Sequence, residues 1–421
     1  MTILTATATT STTLASIWKK FQYKVTPAVS YKVPEFQMVS DMAAGKYLPT
    51  TREVLRPIRI KQGFGIGAIN EGGARALPGT AAPIDLSLTL NHYQGQFAIP
   101  QKIQLIAQNG GDDAMIMNQL KYAAQDKFDA FTRYLGDAVY LPSTGVRATT
   151  DTDLAGASTT LTLTNGLNQS WITDGAYISR LFAPNDKVAC LVAGVRSTNA
   201  VGTITAVATT PTIAVTWDGT APSDTTNGLQ VVLANTMDNA VDDYNKMFSA
   251  NLMDILTAVS VHGVSNSVNP ETSISYSDTT GGRFTGTRLM RGQDNIANFS
   301  PYEADSCIMD QGVHRDMVAQ YSSQLRFSTP YKMDTDGSIA AEGITFFKTK
   351  RVPPGFVCLY AKAAWEKFFG RPDIDDFKNI EWSDLRPSET YTFSYGGLDF
   401  VGNLVVNCRP AFAYWRGCDT A

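Results

Sequence analysis

Residues 53–69, EVLRPIRIKQGFGIGAI, and residues 84–106, IDLSLTLNHYQGQFAIPQKIQLI, decide the fold. Each alternates apolar and polar positions, most cleanly at Ile84, Leu86, Leu88 and Leu90, the period of a strand with one buried face. Between them NEGGARALPGTAAP, from Asn70 to Pro83, is a Gly/Pro/Ala segment with the composition of a loop tip. Together they predict one long hairpin. Arms of roughly 15 residues at about 3.3 Å each reach about 50 Å, too far to pack wholly on one small domain. An isolated two-stranded ribbon is marginal in water, so the pattern predicts a ribbon that lies on another subunit. Gly63, Gly65 and Gly67 are spaced by two, which breaks the dinucleotide-binding fingerprint, and they open no helix. They are assigned to hairpin flexibility.

Upstream, residues 1–50 mix Thr, Lys and Pro with scattered aromatics, Trp18, Phe21, Tyr23, Tyr31 and Phe36, without a period. An arm with large apolar side chains and no core of its own must bury them on something else. Residues 1–70 carry nine basic against three acidic side chains, so this end prefers an anionic partner or neighbour. Downstream the period switches. Ile116, Leu120, Ala124, Phe128, Phe131, Leu135 and Val139 fall three or four apart, an amphipathic helix over 112–139 opened by Asp112 and Asp113 and closed before Pro142.

From Thr144 to Asn235 the composition turns to Thr, Ala, Gly, Val and Asn, with short alternating runs such as TTLTL, GTITAV and TIAVTW. Asn165-Gly166, Asp174-Gly175, Asp218-Gly219 and Asn227-Gly228 punctuate them at the spacing of a small barrel or sandwich. Its charge balance is acidic, opposite to that of the arm. A second helical stripe runs from Val241 to Val259, followed by a Ser/Thr/Gly-rich stretch to Asn298 that predicts a surface loop. ADSCIM, residues 304–309, predicts a buried strand feeding a helix with Val313, Met317, Tyr321 and Leu325 four apart. Two strand-like runs, residues 389–400 and 402–415, close the chain. The fold class is α+β.

The chain has 421 residues, 43% of them apolar, and a formal charge of −4. That is core enough for two or three domains and too little charge for a dedicated nucleic-acid binder. No secretory signal and no membrane-spanning run of about 18 apolar residues is present. Cys190, Cys307, Cys358, Cys408 and Cys418 form no Cys-x-x-Cys pair, which fits a reducing compartment and small buried apolar groups. His92, His262 and His314 lack metal-ligand spacing, and Asp373, Asp375 and Asp376 lack the spaced oxygens and glycine of a calcium loop. No nucleophile elbow, phosphate loop or zinc-protease motif occurs. No catalytic, cofactor or metal residue is assigned, and the chain is read as not an enzyme.

The order basic arm, long hairpin with the tip NEGGARALPG, the helix DDAMIMNQLKYAAQDKFDAFTRYLG, the strand and helix YEADSCIMDQGVHRDMVAQ, and RVPPGFVCLYAKAAWEKF resembles the major capsid proteins of tailed bacteriophages, the Hong Kong 97 type of fold. That resemblance implies an N-terminal arm over 1–50, an extended loop over 51–108 that overlaps a neighbour, and a spine helix of the peripheral domain over 109–143. It further implies a second part of the peripheral domain over 237–299, an axial domain over 300–385 and closing strands over 386–421. Residues 144–236 are left as an inserted β-domain. The extended-loop tip, Asn70, Glu71, Gly72, Gly73, Ala74, Arg75, Leu77 and Pro78, would make the inter-subunit contact, together with Trp18, Phe21 and Tyr23 of the arm. Some relatives cross-link through a Lys and an Asn; Lys61 lies in the hairpin, but no residue matches the Asn or its acidic helper, so no such chemistry is assigned.

The resemblance implies hexamers and pentamers in an icosahedral shell around double-stranded DNA, located in the virion after assembly in the host cytoplasm. The implied partners are a scaffolding protein, a portal, a maturation protease, a possible decoration protein and non-specific contact with packaged DNA. Because the sequence starts directly with the arm, a separate scaffold is expected. The alternative is a surface protein that binds glycans through the β-domain, with Trp171, Tyr177 and Trp217 stacking on sugar rings.

Overall fold

The computed structural model describes residues 43–44, 53–61, 82–100, 130–131, 133–150, 159–192, 195–196, 201–208, 211–219, 221–222, 228–234, 248–266, 273–322, 331–333, 339–341, 343–369, 381–382, 386–387 and 393–420. They fall into two compact units. One draws on the ranges Met1–Lys46, Leu90–Asp137 and Lys367–Gly402, the other on Tyr47–Thr89, Ala138–Glu366 and Asn403–Ala421.

In the first unit the organising strand is Phe393–Val406, 14 residues long, where two separate runs were expected. It pairs antiparallel with Asn91–Pro100, from Phe393 opposite Pro100 to Gly402 opposite Asn91, and with the short strands Glu381–Trp382 and Arg386–Pro387. The helical residues 130–131 and 133–140 stop before Pro142, where the sequence placed the end of the long helix; residues 112–129 lie outside the described residues. This helix packs through aromatic rings. Tyr93 is buried, its ring 6.0 Å from Tyr134 and 5.9 Å from Phe400, and a Cβ on Gly95 would stand only 3.0 Å from Phe131 Cδ2.

The hairpin belongs to the second unit. Glu53–Lys61 pairs antiparallel with Ala82–Thr89, from Glu53 opposite Thr89 to Lys61 opposite Ala82. The arm expected to run unbroken from residue 84 to 106 instead changes partner at Leu90, since Asn91–Pro100 pairs with Phe393–Val406. Alternation records which face is buried and says nothing of which strand lies alongside, so two consecutive strands in different sheets read as one.

One core of this unit lies on a mixed seven-stranded sheet. Its order is Tyr276–Asp278, Phe412–Trp415, Val357–Tyr360, Ser306–Asp310, Ile344–Thr349, Ile339–Ala341 and Tyr331–Met333. Ser306–Asp310, the strand expected near 304–309, is fully buried and lies parallel to Ile344–Thr349 and antiparallel to Val357–Tyr360. The helix expected after it is Gln311–Ser322, whose Val313 and Met317 enter the core; Leu325 lies outside the described residues.

Two expectations for the middle of the chain are corrected. The stretch up to Asn298, expected as a surface loop, contains the strand Tyr276–Asp278 and the 14-residue helix Gly286–Phe299. Its buried stripe is Leu289, Gly292 and Ile296. A glycine occupies the central stripe position because Trp415 fills that space. A Cβ there would collide with the indole, lying 2.9 Å from Cζ2, and would stand 3.2 Å from Leu359 Cδ2. Trp415 is fully buried and meets Phe284 edge-on at 5.2 Å. Within the stripe expected from Val241 to Val259, residues 248–251 form a turn and the described helix is Leu252–Thr257, capped by Asn251. Phe248 lies before this helix and the exposed Val259 after it; residues 235–247 lie outside the described residues.

The β-domain is a six-stranded barrel. Gln230–Leu233, Val146–Thr150, Thr160–Gly166, Thr212–Trp217, Gly202–Val207 and Lys187–Val192 follow one another, and Gln230–Leu233 closes the ring onto Lys187–Val192. Val146, Ala148, Leu161, Leu163, Val188, Ile204, Ile213, Val215 and Val231 are buried at alternate positions. Asp174-Gly175, expected as a turn, starts the helix Gly175–Arg180, because the Asp174 carboxylate accepts from the Tyr177 backbone N–H at 2.9 Å. The same side chain that favours turns also caps helices.

Replacing Gly292 by Ala is expected to lower stability by about 1–3 kcal/mol through overpacking against Trp415, although Ala is the better helix former by about 1 kcal/mol. Equilibrium urea unfolding of the two proteins measures the difference.

Candidate functional site

The hairpin is the element whose sequence pointed outward, and its root is where the structure ties it down. Leu86 and Leu88 are 3% and 1% exposed, so the arm nearest the root is buried within its own chain. Burial of each is worth about 1.5–3 kcal/mol, but apolar burial has no direction. Direction comes from hydrogen bonds at the turn Phe248-Ser249-Ala250-Asn251, of which Phe248, Ala250 and Asn251 are fully buried.

Asn403, also without solvent exposure, donates from Nδ2 to the Thr89 carbonyl at 2.6 Å and to Ser249 Oγ at 2.8 Å. Its Oδ1 accepts from the backbone N–H groups of Ser249 and Leu404, both at 2.8 Å. Trp365 Nε1 donates to the Ala250 carbonyl at 3.0 Å. Asn251 donates to the Phe248 carbonyl and to Asp254 Oδ2, each at 2.7 Å, and accepts from the Asp254 N–H at 2.8 Å. Asp254 Oδ2 also accepts from the Ser143 N–H at 2.8 Å. Two hydrogen-bonded sets therefore meet on this turn, one joining the hairpin root to Ser249 through Asn403, the other joining Phe248 to Ser143 through Asn251 and Asp254.

Burial pushes the Asp254 carboxyl above its usual range, opposed by the hydrogen bonds from Ser143 and Asn251. Buried Arg409 donates to the Ile255 carbonyl at 2.6 and 2.9 Å and to that of Ala258 at 3.0 Å, placing a cation on the last carbonyls of Leu252–Thr257. Close by, His262 occupies the left-handed region at φ 53°, followed by Gly263 at 78°, in the two-residue turn joining Ser260–Val261 to Val264–Ser265. Its Nε2 accepts from the Val406 N–H at 3.4 Å, and Nδ1 is shut off from solvent with no hydrogen-bond partner among the described residues. Burial lowers its pKa to about 4. The ring is neutral at pH 7.

Among the described residues no group of three His, Cys, Asp or Glu side chains could hold a metal ion, and no helix is long and apolar enough to cross a membrane. His92 is exposed and His314 buried. Cys190, Cys307, Cys358 and Cys418 are buried free thiols and Cys408 is half-buried; burial pushes Cys190 up to about 12 and Cys418 to about 11. The tip residues Asn70, Glu71, Gly72, Gly73, Ala74, Arg75, Leu77 and Pro78, the arm residues Trp18, Phe21 and Tyr23, and Asp373, Asp375 and Asp376 lie outside the described residues.

The sugar-stacking alternative finds no support. Tyr177 is fully buried and donates its hydroxyl to the Arg351 carbonyl at 2.6 Å. Trp171 stacks on Phe356 at 6.1 Å, with the Arg416 guanidinium 5.4 Å from its ring centre. Two of the three rings thus join the barrel to the segments 351–356 and 414–416. Trp217 is half-buried and lies against the backbone of Gly202. Asn251, Asp254 and Asn403 were not singled out from sequence; the available signal was a lone amide in the apolar run VGNLVV.

No protein-family model and no curated protein matches the sequence. Solved structures do match. The chain in the capsid asymmetric unit of Cyanophage A-1(L) is 11% identical with a TM-score of 0.51, over 93% of this chain and 94% of that one. Mycobacterium phage Bobi matches at 10% identity and a TM-score of 0.43, over 91% of each chain. The capsid of Myoviridae Phage XM1 matches at 10% and 0.42, again over 91% of each. The last two scores are too low to carry weight. The first establishes the fold: this chain has the fold of a phage capsid protein over nearly its whole length.

The His262 ring takes up a proton near pH 4 in the folded chain and near 6.5 when unfolded. The unfolded state therefore binds more protons between those values, and stability is kept above pH 6.5 and lost as the pH falls toward 4. His262→Asn, which tolerates the left-handed backbone, is expected to reduce the stability difference between pH 7 and pH 5 by about 1–2 kcal/mol, measured by denaturant unfolding at both values.

Proposed function

We propose that this chain is the major capsid protein of a tailed bacteriophage, a structural and non-enzymatic protein. Copies of it would assemble into hexamers and pentamers of an icosahedral shell around double-stranded DNA. The observation that carries this is the fold shared with the cyanophage capsid chain over 93% of the sequence. The location is then the virion, after assembly in the host cytoplasm.

Within that reading, residues 51–108 are the extended loop, 109–143 and 237–299 the peripheral domain, 300–385 the axial domain of Hong Kong 97-type proteins, and 386–421 the closing strands. Residues 144–236 are an insertion. The pairing of the first barrel strand with the last, Val146 opposite Val232, supports it, because the entry and exit of the barrel lie side by side. The two-stranded sheet of the hairpin supports overlap on a neighbour, since such ribbons are not stable alone. The tip Asn70–Pro78 and the arm residues Trp18, Phe21 and Tyr23 would make those contacts. Scaffold, portal, maturation protease, decoration protein and packaged DNA are the partners this role requires. A weak net charge of −4 suits a wall that does not hold the genome tightly.

Expressed protein, with its scaffold, is expected to form closed shells or capsomer rings in negative-stain images, whereas a chain that stayed monomeric at high concentration would overturn the reading. Deleting Asn70–Pro83 is expected to abolish stable shells while leaving the cooperative thermal transition of the monomer in place.

A further inference from the structure

We propose that Asn403 is a positioning residue that sets the direction in which the hairpin leaves the body of the protein. Its importance to a shell rests on the capsid reading, but its action on the hairpin does not. Thr89 is the last residue of the hairpin ladder, opposite Glu53, and one residue later the chain departs into Asn91–Pro100. The Asn403 amide holds the Thr89 carbonyl and the turn at Ser249 simultaneously, and that turn is itself fixed by Asn251, Asp254 and Trp365.

The geometry over-determines the amide. Its two N–H donors go to two different acceptors, and its oxygen takes two backbone N–H groups, so all of its strong hydrogen-bonding capacity is used. Rotating the amide by half a turn would set its oxygen against the Thr89 carbonyl and its N–H groups against those of Ser249 and Leu404. The hairpin base cannot pivot without breaking this set, and the Asn403 amide, at 0% exposure, would then be left unpaired in the interior. Leu86 and Leu88 hold the root in place but would tolerate rotation, because apolar contact is non-directional.

Leverage makes the residue matter. A ladder of eight or nine residues spans about 30 Å at about 3.3 Å per residue, so a tilt of about 10° at the root displaces its far end by about 5 Å. A displacement of that size is larger than the precision packed interfaces require.

Hydrogen exchange of the unassembled full-length chain tests this. In the wild type, amides of residues 53–56 and 86–89 are expected to be protected. Asn403→Asp removes both donors at nearly constant shape and is expected to speed exchange there at least tenfold. Amides of Ser306–Asp310 and Val357–Tyr360 are expected to stay within twofold of the wild type. Ser249→Ala, which deletes one acceptor and spares the Thr89 bond, is expected to give a smaller increase confined to the same residues, and it keeps the test open should the Asp variant unfold. Three results would overturn the proposal: unprotected hairpin-root amides in the wild type, unchanged hairpin exchange in both variants, or parallel acceleration of all segments in both. Wild-type protein that shows the protected root but forms no shell would instead remove the capsid reading and leave the role of Asn403 intact.

Discussion

The second unit depends on a buried polar turn. Phe248, Ala250 and Asn251 carry backbone and amide groups into a region without solvent, where each unpaired donor or acceptor would cost about 1–3 kcal/mol. Asn403, Asn251, Trp365 and Asp254 supply the missing partners. Such a network is costly when half complete and specific when complete. It tolerates one arrangement of the hairpin root, the helix Leu252–Thr257 and the strand end at Asn403, where an apolar cluster of the same volume would tolerate several.

Among the described residues of this unit three aromatic groups recur in the packing. Trp415, with Phe284 and Tyr276, seats the helix Gly286–Phe299 on the central sheet, and Gly292 is the accommodation that lets the helix approach. Tyr360, Trp365 and Phe412 form a second group with ring centres 5.6–6.0 Å apart, and the indole of Trp365 reaches from it to the polar turn. The barrel joins through a third set, Trp171 on Phe356 and Phe356 on Tyr414. Rings of this size bury much area with few rotatable bonds, and beside them the Tyr177 hydroxyl and the Gln169 amide, which donates to Thr257 Oγ1, tie the barrel domain to the rest of the unit.

How much was legible follows from the same physics. Alternation identified the hairpin ladder and most of the barrel strands, whereas the short apolar run at 306–309 identified Ser306–Asp310, which is buried on both faces. It could not separate Ala82–Thr89 from Asn91–Pro100, whose difference lies in the partner strand. Helix Gly286–Phe299 escaped because Trp415, more than 100 positions away in sequence, supplies the bulk its stripe lacks at Gly292. The root of the hairpin escaped for a related reason. Asn251, Asp254 and Asn403 match no motif and gain meaning only when distant segments converge on them.

On the proposed capsid reading, the edges of the hairpin bear on how copies would meet. A two-stranded ladder leaves two outer edges, each a row of backbone groups able to recruit another strand. The strand Glu53–Lys61 contains Pro57, which carries no backbone donor. Strand-to-strand growth would continue without closing, whereas contact through the faces of the ribbon is a heterologous overlap that can close by rotation. On the proposed capsid reading, a ribbon with a fixed root would favour rings over fibres. On that reading the Asn403 amide, bonded to Thr89 and Ser249 at once, would serve closure by keeping the root in one geometry.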